Sequence, residues 1–297
     1  MSDAVPILHM ITPLRHTSPF DVNMAVDAGF HDIATYVGVE LKDVVPLTQD
    51  AMFSRAPSAA KRTVLFIGGK DASLALDQMA AAASALFPPF EISIFADPAG
   101  AFTTAAAMIA QVERHLLGKR DKGLEGARVQ VYGATGIIGG IAAVIAAQAG
   151  AHVTMVGHMV IEDVQLKAID FRKRFGVTLD CAAASTDDDK KKLVKDAEVI
   201  LTAASAGVQV ISREVLEAAG DLLVAADINA VPPTGIEGVG SNDDGVALPH
   251  GVGVGALVIG QIKYQVQHRM LKRIRESDVA LRIGFLEAYE LARTLSE

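Results

Sequence analysis

Gly133, Gly136 and Gly139 recur at a spacing of three, directly after the β-rich run Val129–Tyr132 and directly before an Ala- and Ile-rich run. Glycine at such a strand-to-helix turn serves three needs. Gly133 permits a tight turn, Gly136 lets a pyrophosphate approach the backbone, and Gly139 lets the helix pack closely on the strand. The helix N-terminus then offers free N–H groups and partial positive charge to phosphate. The commoner G-x-G-x-x-G form would place glycine at 134, which is alanine here. A glycine turn also occurs in α/β folds that bind no nucleotide. Here the strand, turn, helix and second strand (His152–Val156) follow in the order and length that a dinucleotide site requires.

The ribose-selecting position should follow that second strand. A carboxylate there would bond the 2′-OH of NAD and repel the 2′-phosphate of NADP, whereas arginine would favour the phosphate. The chain instead has Gly157, His158 and Met159. His158 does neither strongly, so weak discrimination and use of both NAD and NADP are predicted. The plain alternative is an exposed loop histidine with no ligand. Two further segments carry glycines or turn residues at the presumed cleft edge. Ala226–Pro233 follows a strand, and Leu248–Gly255 precedes a long helix with glycines that let backbone approach a flat ring. The nucleotide-binding set expected from these features is Gly133, Thr135, Gly136, Ile137, Ile138, Gly139, His158, Ala203, Ala204, Asn229 and Gly253. No metal site is expected.

The elements that must position these residues alternate between strand and helix, which predicts parallel sheets with right-handed crossovers. Val5–Ile11, Val64–Ile67 and Glu91–Ala96 read as strands. A loop containing Pro13 and Pro19 follows the first, a helix over 72–86 the second, and a helix from Thr103 to Leu117 the third. A second series runs through Val129–Tyr132, His152–Val156, Val177–Ala182, Val199–Thr202 and Leu222–Ala226. Long helices follow over 256–276 and 279–295, and Asp187–Lys192 reads as a solvated charge cluster. The short charged stretch Gly118–Gly126 marks a boundary. The expected class is therefore α/β, with two α/β lobes and a cleft between them. Residues 1–122 form the first domain, 123–255 a Rossmann-type domain, and 256–297 the C-terminal helices.

Composition agrees. The 297 residues include one cysteine, Cys181, so no intramolecular disulfide forms and a reducing, cytoplasmic setting is expected. Met1–Leu14 lacks a basic region followed by a long apolar core, so no signal peptide is read. A net charge of −8 argues against a general nucleic-acid partner. No Asp, Glu, Lys or Arg occurs between Arg128 and Glu162, long enough to raise a membrane span. Its six glycines and change of period argue for strand, turn, helix and strand instead.

Taken whole, the sequence resembles the NAD(P)-dependent methylene-tetrahydromethanopterin dehydrogenases of methylotrophic bacteria, relatives of methylene-tetrahydrofolate dehydrogenases. The resemblance runs over nearly the whole chain. It rests on SPFDVNMAVDAGF (18–30), FIGGKDASLALD (66–77), FADPAGAFTTAAAM (95–108), the glycine turn, DINAVPPTGI (227–236) and GVGVGALVIGQIKYQ (251–265). It implies an N-terminal pterin-binding lobe, a Rossmann lobe and a C-terminal helix returning to the first. It also implies hydride transfer from the methylene bridge of the pterin to NAD(P)+, on a route from formaldehyde to formate, and a homo-oligomer. His158-Met159 resembles the branch that accepts both nucleotides, since the strictly NADP-dependent branch carries Arg-Lys there.

Losing hydride from a carbon between two nitrogens leaves a cation shared by both. No general base and no metal is called for, and positioning with exclusion of water suffices. On that reading Asp97, after a strand end, stabilises developing positive charge, with an Asp turn before Pro98 as the bland alternative. Thr103 joins Asp97 and Lys263 as the catalytic set, and Thr104 bonds the pterin, whereas helix capping is their plainer use. Lys263 sits beside an apolar helical stripe (Ile259, Ile262, Val266, Met270, Ile274) and bonds pterin oxygen or lies exposed. Asp21 and Asn23, read in a proline-bounded loop, face the pterin edge. Arg15 and Lys70 attract its anionic tail unless they are simply solvated. A shikimate-type dehydrogenase would need a Lys–Asp proton-transfer pair that the sequence does not reveal. A silent NAD(P)-binding redox sensor would bind nucleotide without turnover.

Overall fold

The computed structural model describes residues 4–297, so the first three residues of the Met1–Leu14 stretch lie outside the described residues. The first part of the chain runs β1 (Ile7–Thr12), α1 (Pro19–Asp27), β2 (Asp32–Val37), α2 (Leu41–Phe53), α3 (Pro57–Ala60) and β3 (Thr63–Ile67). Then come α4 (Ala72–Ser84), β4 (Ser93–Ala96) and α5 (Ala101–Leu117). The middle contains β5 (Arg128–Tyr132), α6 (Ile137–Gln148), β6 (His152–Gly157), α7 (Ile161–Phe175), β7 (Asp180–Ala183) and α8 (Asp187–Leu193). It continues through β8 (Val199–Thr202), α9 (Arg213–Ala218), β9 (Val224–Asp227), β10 (Asp244–Ala247) and β11 (Val252–Val254). The chain closes with α10 (Ala256–Glu276), β12 (Arg282–Ile283) and α11 (Phe285–Ser296).

Contacts divide the chain into two compact units. One holds residues up to Thr103 together with Tyr264–Ala288, the other Thr104–Lys263 together with Tyr289–Glu297. The divisions fall inside α5, α10 and α11, and the charged stretch 118–126 lies within the second unit.

The first unit is built on a five-stranded sheet in the order β12-β4-β3-β1-β2, with every pair parallel. A parallel sheet covered on both faces needs unbroken apolar strands, and every residue of β3 is buried. The strand order reverses between β1 and β3, so the connections leaving their C-terminal ends open a crevice. Arg15 lies on the first of these connections and Lys70 on the second, both exposed.

Several expectations for this unit need correction. The loop expected around Pro13 and Pro19 contains α1, because Pro19 is the first helical residue behind the N-cap Ser18. Asp21 and Asn23 are therefore helical. The strand β2 escapes the hydrophobic pattern because it is a half-exposed edge. The final helix begins at Phe285, and the residues before it add β12 to the sheet.

The second unit has a seven-stranded sheet, β10-β11-β9-β8-β5-β6-β7, parallel except for the antiparallel edge strand β10. Its order reverses between β5 and β8, as in a Rossmann sheet. The uncharged run 129–161 supplies β5, the glycine turn, α6 and β6. Among the described residues, no helix is long and apolar enough to cross a membrane. Asp187–Lys192, expected as a solvated cluster, belongs to α8, whose Lys190 is buried.

His9 on β1 makes a hydrogen bond with Tyr36 on β2 (Nδ1–Oη 3.0 Å). Burial, helped by the Arg55 charge, holds its imidazole below the ordinary 6.5. The unfolded chain therefore takes up this proton first, and the stability present above pH 6.5 is lost as pH falls through the depressed value. His9→Gln should lose less stability than wild type on going from pH 7.5 to about 5.5. Urea midpoints at the two values check this, and equal losses would exclude His9 as the titrating group.

Candidate active site

In the second unit each glycine of the turn has a distinct geometric cause. Gly133 follows β5 with φ +77°, and a Cβ there would lie 2.5 Å from the Ala203 carbonyl oxygen. A Cβ on Gly139 would lie 2.5 Å from the Gly133 oxygen, so it lets α6 close onto the turn. Gly136 differs from both. It caps α6 with φ −70° and ψ 164°, which any residue adopts, and it is exposed. A Cβ there would meet only the Gly133 oxygen at 3.1 Å and Ala203 oxygen at 3.8 Å. The first amides of α6, at Ile137 and Ile138, have no carbonyl one turn behind them within the helix. Thr135 is exposed beside them. The turn thus presents an exposed, positively polarised helix N-terminus, whose free amides suit a pyrophosphate.

A cleft of about 430 Å³ adjoins the turn. Of the predicted nucleotide residues, Gly133, Thr135, His158 and Ala204 line it. Tyr132 forms part of its wall. Burial pushes that phenol above its ordinary range, and its hydroxyl donates to Gln130 Oε1 at 3.0 Å. Two charged wall residues were not anticipated, Asp163 on α7 and Lys190 on α8. Neither signals itself in the sequence, because one sits in a helical first turn and the other in a charge-rich run.

Asn229 and Gly253 stand outside that wall. The Asn229 carbonyl accepts from Gly207 N (3.1 Å) and Val231 N (3.0 Å), while its amide donates to the Pro233 carbonyl (2.9 Å). All its polar atoms thereby hold the connections after β8 and β9. Beneath it lies Asp227, fully buried and missed by sequence reasoning. Its carboxylate accepts from Thr202 Oγ1 (2.7 Å), Asn229 N (3.0 Å) and Gly235 N (2.7 Å). Gly253 is buried on β11, where a Cβ would lie 2.6 Å from Val239 Cγ2. Sheet packing alone therefore requires glycine there.

In the first unit, Asp97 leaves β4 fully buried. Its Oδ1 accepts from Phe102 N (3.0 Å) and Thr103 N (3.2 Å), and its Oδ2 accepts from the Thr103 hydroxyl (2.7 Å). The turn between them holds Ala99 at φ +53° and Gly100 at φ +65°. Asp97 and Thr103 are therefore one fixed cluster at the start of α5. Asp21 is buried on α1 and accepts from Gln267 Nε2 at 2.9 Å. Asn23 is exposed on the same helix, and Thr104 is half-buried. Lys263, in the second unit, is 9% exposed and shares the buried side of α10 with Ile259, Val266 and Met270. Arg15 and Lys70 stay on the surface at the crevice of the first sheet.

Comparison with known proteins decides the family. The chain is 49% identical to the NAD(P)-dependent methylenetetrahydromethanopterin dehydrogenase of Methylorubrum extorquens, covering 96% of this chain and 97% of that protein. The chain belongs to that family. A family model described as methylene-tetrahydromethanopterin dehydrogenase, N-terminal, matches residues 19–99 of this dehydrogenase. Another Methylorubrum extorquens protein, the bifunctional protein MdtA, is 28% identical over 94% of this chain and 95% of its own. Two solved structures share the fold. The 5-ketofructose reductase of Gluconobacter sp. strain CHM43 gives TM-score 0.51 at 14% identity, covering 98% of this dehydrogenase and 99% of the reductase. Shikimate 5-dehydrogenase of Listeria monocytogenes gives TM-score 0.51 at 12% identity, covering 92% of each chain.

The unequal roles of the glycines give a test. Gly136→Val should keep the unfolding temperature near wild type yet abolish nucleotide binding in calorimetric titration. Gly139→Val should instead lower stability by about 2 kcal/mol or more, because backbone stands where its side chain would go. Unchanged nucleotide affinity in Gly136→Val would make the turn purely structural.

Proposed function

We propose that this dehydrogenase takes hydride from the methylene carbon of methylene-tetrahydromethanopterin and passes it to NAD+ or NADP+. The product pterin is the methenyl cation. The observation that carries this reading is the near full-length 49% identity to a dehydrogenase of that name. The exposed helix N-terminus at Gly136 supports it from the geometry, since its free amides suit a dinucleotide pyrophosphate. The nicotinamide of the bound nucleotide supplies the hydride acceptor. Breaking the C–H bond sends both electrons away with the hydrogen, and the positive charge left behind spreads over the two flanking nitrogens.

The chain's own residues then bind and orient. The first-turn amides of α6, with Thr135 and Gly136, hold the pyrophosphate, and His158 with Ala204 borders the adenosine end. Asp97 supplies a carboxylate for the developing positive charge, and Thr103 holds it in one orientation by hydroxyl and backbone donors. Lys263, Asp21, Asn23 and Thr104 are assigned to the pterin. Arg15 and Lys70, at the crevice of the first sheet, are assigned to its anionic tail. Asn229 acts as a positioning residue through the connections that it ties together. In the wider chemistry the reaction stands between the capture of formaldehyde and its release as formate.

The deciding assay is anaerobic, with methylene-tetrahydromethanopterin and methylene-tetrahydrofolate, each supplied with both nucleotides. Turnover of the methanopterin with NAD+ and with NADP+ is expected. Nucleotide binding without turnover of any methylene pterin would reduce the chain to a silent binding protein.

No side chain is required to move a proton in this scheme. Single-turnover kinetics with substrate deuterated at the methylene carbon should show a primary isotope effect and a chemical step nearly flat with pH. A rate changing about tenfold per pH unit, and losing that dependence in an Asp97 or Lys263 variant, would establish a titrating proton carrier instead.

A further inference from the structure

We propose that the 2′ position of the adenosine ribose is read by two opposite charges on the cleft wall, Asp163 and Lys190, and not by the residue that follows β6. This rests on the reading of the cleft as the adenosine end of the nucleotide site. The wall at the exit of β6 is made by Gly157, His158, Met159 and Val160, none of which carries a fixed charge. The 2′-phosphate that distinguishes NADP adds between one and two negative charges, so its selection is chiefly electrostatic. Among the wall residues, Asp163 is the one carboxylate and Lys190 the one lysine or arginine.

Both are placed by the fold. A Cβ on Gly157 would lie 2.6 Å from Val164 Cγ2 and 3.2 Å from the Val160 oxygen, so the first turn of α7 folds directly over the strand exit. That turn carries Asp163. The N-cap of α7, Val160, has no side-chain capping bond. Asp163 is exposed at the cleft mouth, and among the described residues its carboxylate makes no hydrogen bond or ion pair, so it is free to face a ligand. Lys190 approaches from α8 and is 8% exposed. Its ammonium donates to the Val210 carbonyl at 2.7 Å and to Asp187 Oδ1 at 3.3 Å. The other Asp187 oxygen accepts from Ser212 Oγ at 2.6 Å. An ammonium carries three N–H donors, so one remains for a ligand. Asp163 disfavours the 2′-phosphate and accepts from a 2′-hydroxyl. Lys190 favours the phosphate, with its field reduced by Asp187. The two act in opposition, which is the electrostatic basis for a site that takes either nucleotide.

The test is calorimetric titration of NAD+ and NADP+ into the wild-type chain and into Asp163→Asn and Lys190→Met. The quantity read is the ratio of the two dissociation constants in each protein. That ratio reports selectivity, and partial loss of folded protein does not change it. Asp163→Asn should move the ratio toward NADP by at least about fivefold, and Lys190→Met should move it toward NAD by a similar factor. Both shifts should shrink in about 1 M salt, because they arise from charge. A ratio within about twofold of wild type in either variant, with both nucleotides still bound, overturns the two-charge reading while leaving the cleft as the nucleotide site. Failure of the wild-type chain to bind either nucleotide overturns both.

Discussion

The backbone of Gly133 passes so near that of Ala203 that no side chain fits between them, and the second unit is arranged around that approach. It brings the exits of β5 and β8 together where the sheet reverses direction. It also sends the chain into α6 with its first amides facing outward. Gly139 completes the arrangement by letting α6 sit on the turn itself. Only then does Gly136 become an open cap with ordinary dihedrals. Gly133 and Gly139 thus face backbone at 2.5 Å and build the turn, while Gly136 is the less tightly held of the three, with its nearest backbone oxygen at 3.1 Å.

The first unit solves a related problem with a carboxylate. Asp97 leaves β4 and accepts two backbone amides and a hydroxyl from the start of α5. The connection accommodates this through Ala99 in the left-handed region, on the order of 1 kcal/mol of strain for a residue with a side chain. These bonds are the capping role of Asp97, and the proposed electrostatic role would use the same fixed carboxylate. A group fixed by three donors keeps one orientation, which an electrostatic role requires.

How much of this was legible depends on whether a feature is local. Buried parallel strands such as Thr63–Ile67 are continuous apolar runs, and the glycine turn is a contiguous string, so both are plain in the sequence. The helix α1 was not, because a proline read as a loop residue is also a favoured first helical residue. The edge strand β2 lacks the buried alternation that a covered strand shows. Asp227 is invisible for another reason. Its three donors come from β8, from its own connection and from Gly235, a meeting that only the folded sheet creates. Asp163 and Lys190 likewise belong to separate helices, the first turn of α7 and the last turn of α8, that border one cleft. Lys263 lay beside an apolar stripe in the sequence, and the structure buries it within that side of α10.

The short strand β12 adds a temporal dimension to the first unit. It pairs with β4 through residues that lie far along the chain, and the Leu281 amide donates to Ser93 Oγ across a separation of 188 residues. During synthesis, β4 emerges with its outer edge unpaired and must remain so while the entire second sheet is translated. An exposed parallel edge of apolar residues is a template for unwanted pairing. During translation, therefore, one sheet is complete in sequence while the other still waits for its last strand. Nascent chains cut short before Ile283 would carry that open edge, which makes them natural clients for chaperones.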